Sequence, residues 1–90
     1  MAQIAATRFY TKNTTASEVL DLTYSKIVSL SILNHSDGEI LVNTKNEFND
    51  TTHFVIPKGG SINGLRIGTS AGAEIFIKSV SGGTISVVSE

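Results

Sequence analysis

The sequence predicts an all-β fold, an antiparallel β-sandwich or jelly-roll-like barrel of seven to eight short strands. Three observations point there. Short runs rich in β-branched and aliphatic residues alternate apolar with polar positions, as half-buried strands do. Turn residues interrupt these runs at a spacing of roughly 8–12 residues, the signature of a sandwich or barrel. The last third repeats the pattern without a break, through Phe54-Val55-Ile56-Pro57-Lys58-Gly59-Gly60, Ser61 to Ile67, Ala73 to Val80, Ser81-Gly82-Gly83-Thr84 and Ile85 to Val88.

Met1 to Ala6 is small and mildly apolar and reads as an N-terminal arm; residues 7–90 read as a single sandwich domain. Thr7 to Thr14 is the first strand, with Thr7, Phe9 and Thr11 on one face and Arg8, Tyr10 and Lys12 on the other. Asn13-Thr14-Thr15 ends it with turn chemistry. Ser17 to Thr23 fits a strand better than a helical turn, through the alternation of Val19, Leu20, Asp21 and Leu22. Lys26 to Asn34 alternates Val28, Leu30 and Ile32 with Ser29 and Ser31, a core face and a polar face. His35-Ser36-Asp37-Gly38 reads as a hairpin turn because Asp-Gly supplies the positive φ angles of tight turns, and Glu39 to Asn43 as its return strand.

Thr44 to Thr52 is the longest loop, anchored by Phe48. His53 to Pro57 is a strand closed by the single proline, which cannot donate to a ladder. Pro57 to Gly60 is a turn. Ser61 to Ile67 follows, with Asn63-Gly64 marking a bulge or a further turn. Ala73 to Val80 sets Ile75 and Ile77 on one face and Phe76 on the other. Ser81-Gly82-Gly83-Thr84 then leads into Ile85, Val87 and Val88 as a second hairpin. The aromatics Phe9, Tyr10, Tyr24, Phe48, Phe54 and Phe76 are read mainly as core or loop anchors.

Ninety residues hold one core, and the absence of cysteine removes disulfides and thiolate chemistry. Stability then rests on the β core, on oligomerisation, or on both. Lys12, Lys26, Lys45, Lys58, Lys78, Arg8 and Arg66 are dispersed and the net charge is −1, so no basic stripe tracks a phosphate backbone. No apolar run approaches the about 20 residues that span a bilayer. The first residues lack the charged start and apolar stretch of a signal peptide, which is the expectation for a protein of a reducing cytoplasm. Charged residues are only 17%, and the abundant Ser, Thr, Asn and Gly give a neutral polar face that loses little on desolvation.

Catalytic and metal constellations are not evident. His35 and His53 neighbour Asp37, Glu39 and Asp50 in polar turn sequence, where an exposed histidine is ordinary. Asn46, Glu47, Asn49 and Asp50 supply oxygens without the spacing and glycine of a calcium loop. No Gly-x-Ser-x-Gly elbow occurs, and the glycine turns precede no helix that presents a phosphate site. The reading is therefore non-enzymatic, with no catalytic residue, no cofactor and no metal. Ile27, Leu33, Leu41 and Phe76 fall off the assigned core face, which suggests that some of them pack into a subunit interface.

Phe54-Val55-Ile56-Pro57-Lys58-Gly59-Gly60-Ser61-Ile62 and Ala73-Glu74-Ile75-Phe76-Ile77-Lys78-Ser79-Val80-Ser81-Gly82-Gly83-Thr84-Ile85-Ser86-Val87-Val88 resemble small structural proteins of tailed-bacteriophage virions. The shared features are an apolar-Pro-x-Gly turn, an Ile-x-Ile-Lys-Ser strand and a Ser-Gly-Gly-Thr turn. The resemblance implies a non-enzymatic capsid decoration, head–tail or tail accessory component, assembled in the host cytoplasm and located in the virion. Its implied partners are copies of itself and other virion proteins, with no nucleic acid, no membrane and no small-molecule substrate. The contact surfaces expected are the arm 1–6, the loop 44–52 and the turn 57–60, with Arg8, Tyr10, Phe48 and Lys58 as individual interface residues. The alternative is a carbohydrate- or receptor-binding β module, which would need an aromatic shelf or an acidic ion site.

Overall fold

A computed structural model describes residues 8–49 and 53–90. They form eight strands: β1 (Arg8–Thr14), β2 (Val19–Tyr24), β3 (Val28–Ser36), β4 (Ile40–Asn43), β5 (Phe54–Ile56), β6 (Ser61–Ile67), β7 (Ala73–Ser79) and β8 (Gly83–Ser89). Two four-stranded sheets result, in the orders β1-β8-β3-β6 and β2-β7-β4-β5. All pairings are antiparallel.

The order has a simple origin. β4 pairs with β5, β3 with β6, β2 with β7 and β1 with β8, so the chain is one long ribbon doubled back at the β4–β5 hairpin. Successive rungs of that ribbon fall alternately into the two sheets, and rolling the ribbon faces them across a shared core. This is the jelly roll, an all-β solution that buries one face of each sheet. β3 pairs with β8 as well as with β6, and β4 with β7 as well as with β5, which completes each sheet.

The core is aliphatic. Leu20, Val28, Leu30, Ile32, Ile40, Val42, Ile56, Ala73, Ile75, Ile77, Ile85 and Val87 are buried between the sheets. Each fully buried isoleucine of this set stabilises the fold by about 1.5–3 kcal/mol. The alternation read in 28–34 holds: Val28, Leu30 and Ile32 face inward, and Ser29 and Ser31 face outward. The bulge reading of Asn63-Gly64 also holds, since the β3–β6 register shifts between Leu30 and Ile32 and Gly64 takes φ 69°.

Three expectations are corrected. The turns at 35–38 and 81–84 do not close hairpins, because each carries the chain from one sheet to the other. β3 extends through His35 to Ser36, and neither Asp37 nor Gly38 has a positive φ. Turn chemistry reports a reversal of direction, whereas pairing depends on which strand lies alongside, here one distant in sequence. The aromatics are also not core anchors in the main: Phe9 is 79% and Phe54 53% exposed. Two facing sheets about 10 Å apart are filled by branched aliphatic side chains, so Phe9 and Phe54 are left at the surface, while Tyr24 packs against the core and Phe48 is half-buried in its loop.

Buried polar side chains tie the crossovers at one end. Asn34 is fully buried where β3 approaches its end. Its Nδ2 donates to the carbonyls of Gly38 (2.9 Å), Ile56 (3.0 Å) and Pro57 (3.0 Å). Its Oδ1 accepts from the Ser36 N–H at 2.9 Å and lies 2.5 Å from the Ser36 hydroxyl. Its main chain accepts from Gly59 N–H and donates to the Gly60 carbonyl, both at 2.9 Å. Thr14 Oγ1 donates to the Gly83 carbonyl (2.8 Å), and Gly82 N–H donates to Ser79 Oγ (3.0 Å). Every one of these residues sits where a strand leaves its sheet, so side chains satisfy main-chain groups that no ladder can reach.

Replacing Asn34 with Leu should lower the unfolding free energy by about 3 kcal/mol, because buried carbonyls lose their donor. Urea denaturation measures this, and a loss under about 1 kcal/mol would mean the network contributes little. Gly83→Ala and Gly59→Ala both force alanine into positive φ, at 121° and 78°. Only at Gly83 would the new Cβ strike main chain, 2.7 Å from Ser36 Cα, while Gly59 faces open space. Gly83→Ala should therefore have clearly the lower melting temperature of the two, and equal melting temperatures would contradict this reading.

Candidate functional site

The eight strands present two outer faces and two ends. On the β1-β8-β3-β6 sheet the outward residues include Phe9, Thr11 and Asn13 from β1, Thr84, Ser86 and Val88 from β8, Ser29, Ser31, Leu33 and His35 from β3, and Ser61 and Arg66 from β6. The two central strands thus carry no Asp, Glu, Lys or Arg on this side. Phe9 lies opposite Val88, and Leu33 lies opposite Ser86, one step diagonal to Val88. An apolar diagonal therefore crosses a field of hydroxyls, with Thr11 Oγ1 and Ser86 Oγ 3.2 Å apart. Hydroxyls paired with each other are desolvated at small cost, which suits a dry contact.

The β2-β7-β4-β5 sheet turns Val19 and Asp21, Glu74, Phe76 and Lys78, Leu41 and Val55 outward. Hydrogen bonding with the Asp21 side chain, then desolvation and the repulsion of the Asp21 charge, hold the Glu74 carboxyl above its usual range. On the strand crossover before β2, Glu18 Oε1 accepts from the Thr15 N–H at 2.9 Å, which lowers the Glu18 carboxyl.

At the end where β1 begins, a cleft of about 270 Å³ lies among Arg8, Tyr24, Ser25, Lys26, Ile27, Val28, Ser89 and Glu90. Burial pushes the Tyr24 phenol up, against the opposing effects of its hydrogen bond with Ser89 and the Arg8 charge. A second groove, of about 460 Å³, opens between the sheets beside β5 and β6 and is lined chiefly by Val42, Phe54, Ile62, Leu65, Ile67 and Ile75. His53 Nδ1 is enclosed at this groove with no hydrogen-bond partner among the described residues. Among the described residues no group of three His, Asp or Glu side chains could hold a metal ion.

The four residues expected at an interface are not brought together. Arg8 starts β1 and lines the smaller cleft. Tyr10, 38% exposed, lies on the opposite side of β1 from Phe9. Phe48 is half-buried in the β4–β5 loop at the same end as Arg8. Lys58 is exposed in the β5–β6 turn, which is bonded to Asn34 at the other end. The arm 1–6 and residues 50–52 of the long loop lie outside the described residues. Leu33 projects from one outer face and Leu41 and Phe76 from the other, while Ile27 sits in the β2–β3 turn, so these off-core residues form two surfaces. The continuity of Phe9, Val88 and Leu33 escaped sequence reading, since it depends on β8 lying between β1 and β3.

No protein-family model matches the chain, and no curated protein matches it. Among solved structures it is similar to one described as "Solution NMR structure of a de novo designed double-stranded beta-helix". The two share 14% identity with a TM-score of 0.55, over 96% of this chain and 97% of the other. The likeness is one of fold.

The raised Glu74 carboxyl has a defined consequence. The folded chain keeps that proton to higher pH than the unfolded chain, so stability falls as pH rises through and just above the ordinary carboxylate range. Glu74→Gln should raise the melting temperature at about pH 7, with the gain vanishing near pH 3, where wild type is protonated too. Thermal melts at both pH values decide it; a gain that persists at the lower pH would assign the effect to something other than charge.

Proposed function

We propose that this chain is a non-enzymatic structural component of a tailed-phage virion, a capsid decoration, head–tail or tail accessory protein that works through multimeric protein contacts. The observation that carries the proposal is the outer face of the β1-β8-β3-β6 sheet, whose central strands are free of full charges and whose Phe9 is 79% exposed. An apolar, hydroxyl-lined surface of this kind marks a protein contact. The resemblance of 54–62 and 73–88 to small virion proteins supplies the biological setting. Its partners on this reading are copies of itself and other virion proteins. A carbohydrate-binding module is less well supported, because Phe9, Phe76 and Phe54 lie on one outer face, on the other, and at an aliphatic groove, and form no shared shelf.

Mass spectrometry of purified particles, from the phage or prophage that encodes the chain, should find it at many copies per particle. Its absence from particles would overturn the proposal. Phe9→Ser with Leu33→Ser should leave the unfolding free energy within about 1 kcal/mol of wild type, since Phe9 is largely exposed and Leu33 lies on the outer face, yet reduce incorporation sharply. Undiminished incorporation would remove this face from the contact.

A further inference from the structure

We propose that the outer face of the β2-β7-β4-β5 sheet is a two-fold contact between two copies of this chain, with Glu74 of each copy paired to Lys78 of the other across a central Phe76. The proposal deepens the multimeric reading, and names both the partner and the pairing.

The argument starts from β7, a central strand of its sheet. Its outward residues run Glu74, Phe76, Lys78: acid, aromatic, base, spaced about 7 Å apart. Reversing the strand about Phe76 lays the acid on the base. A two-fold axis lying in the contact plane and crossing β7 at Phe76 performs that reversal. It stacks the two rings and forms both ion pairs at once, as an isologous contact requires. An axis running along β7 would instead set Lys78 on Lys78 and Glu74 on Glu74, so the charges choose between the two arrangements.

Val19 and Leu41 both lie opposite Lys78, and Val55 lies opposite Leu41; the reversal lays this row over the other copy's row of Thr23 and Glu74. Val19 and Val55 are 37% and 39% exposed, apolar area available for burial. Asp21 lies opposite Phe76 and beside Glu74, and the two carboxylates repel within one copy. An ammonium group delivered by a second copy relieves a repulsion already present. Asp21 itself meets its own mate across the axis, on an edge strand open to water, where the cost is screened. The face spans only four short strands and lies at the small end of interface sizes, so the dimer dissociates on dilution.

The test is sedimentation velocity across a dilution series. Wild type should pass from monomer to dimer with rising concentration, more weakly at high salt. Lys78→Glu and Glu74→Lys should each weaken dimerisation by about tenfold or more. An equimolar mixture of these two variants should associate, because both 74–78 pairs in the mixed dimer are then of opposite sign. The double variant in one chain should recover self-association for the same reason. Both positions face outward, and melting temperatures no lower than that of wild type would confirm that the variants are folded. A wild type that stays monomeric, single variants that dimerise like wild type, or a mixture that fails to associate would each overturn the proposal. Particle mass spectrometry still tests the virion reading by itself, so the two can fail separately.

Discussion

Asn34 is the constraint on which this fold depends. Rolling a ribbon into two sheets means that strands must leave one sheet and enter the other, and at each departure main-chain groups lose their ladder partners. Asn34 collects the stranded carbonyls of Gly38, Ile56 and Pro57 on one amide, from a fully buried position. It therefore holds the β3–β4 and β5–β6 crossovers to a single point between the sheets. Ser36, Ser79 and Thr14 extend the same solution along that end. Aliphatic packing makes the sandwich stable, but it would accept many relative placements of the sheets. The amide network accepts few.

Strand positions were largely legible, and for a physical reason. A half-buried strand must alternate, so Leu30, Ile32, Ile75, Ile77, Ile85 and Val87 reveal their inward face whatever lies across from them. Partners were not legible, because alternation is the same against any neighbour. Asp37-Gly38 and Gly82-Gly83 were read as hairpins, yet both are crossovers. The buried role of Asn34 was hidden as well: asparagine beside a turn is ordinary, and only β5 lying alongside makes it a pin. The candidate contact faces suffered most. Residues 9, 88 and 33 meet through two cross-strand pairings, and a linear pattern carries neither of them.

The two outer faces divide the functional question. One carries no Asp, Glu, Lys or Arg on its two central strands and is rich in hydroxyls, with Arg66 at its β6 edge. The other carries ordered charge around an aromatic, Glu74 and Lys78 on either side of Phe76. On the proposed multimeric reading both properties would be used, since adhesion alone does not set geometry and charge alone gives little adhesion. A thin sandwich keeps these faces apart, so each can change without disturbing the other.

The doubled ribbon also implies an order of folding. The β4–β5 apex joins residues 40–43 to 54–56, whereas the last rung joins Arg8 to Ser89 across nearly the whole chain. Loop-closure entropy makes the short connection the first to close, and each rung formed shortens the loop that the next must close. The structure should therefore zip from its apex toward its ends, and the β1–β8 rung should be the last to form and the first to open. A nascent chain cannot complete the roll until β8 has been synthesised, so the fold closes only after that strand is available.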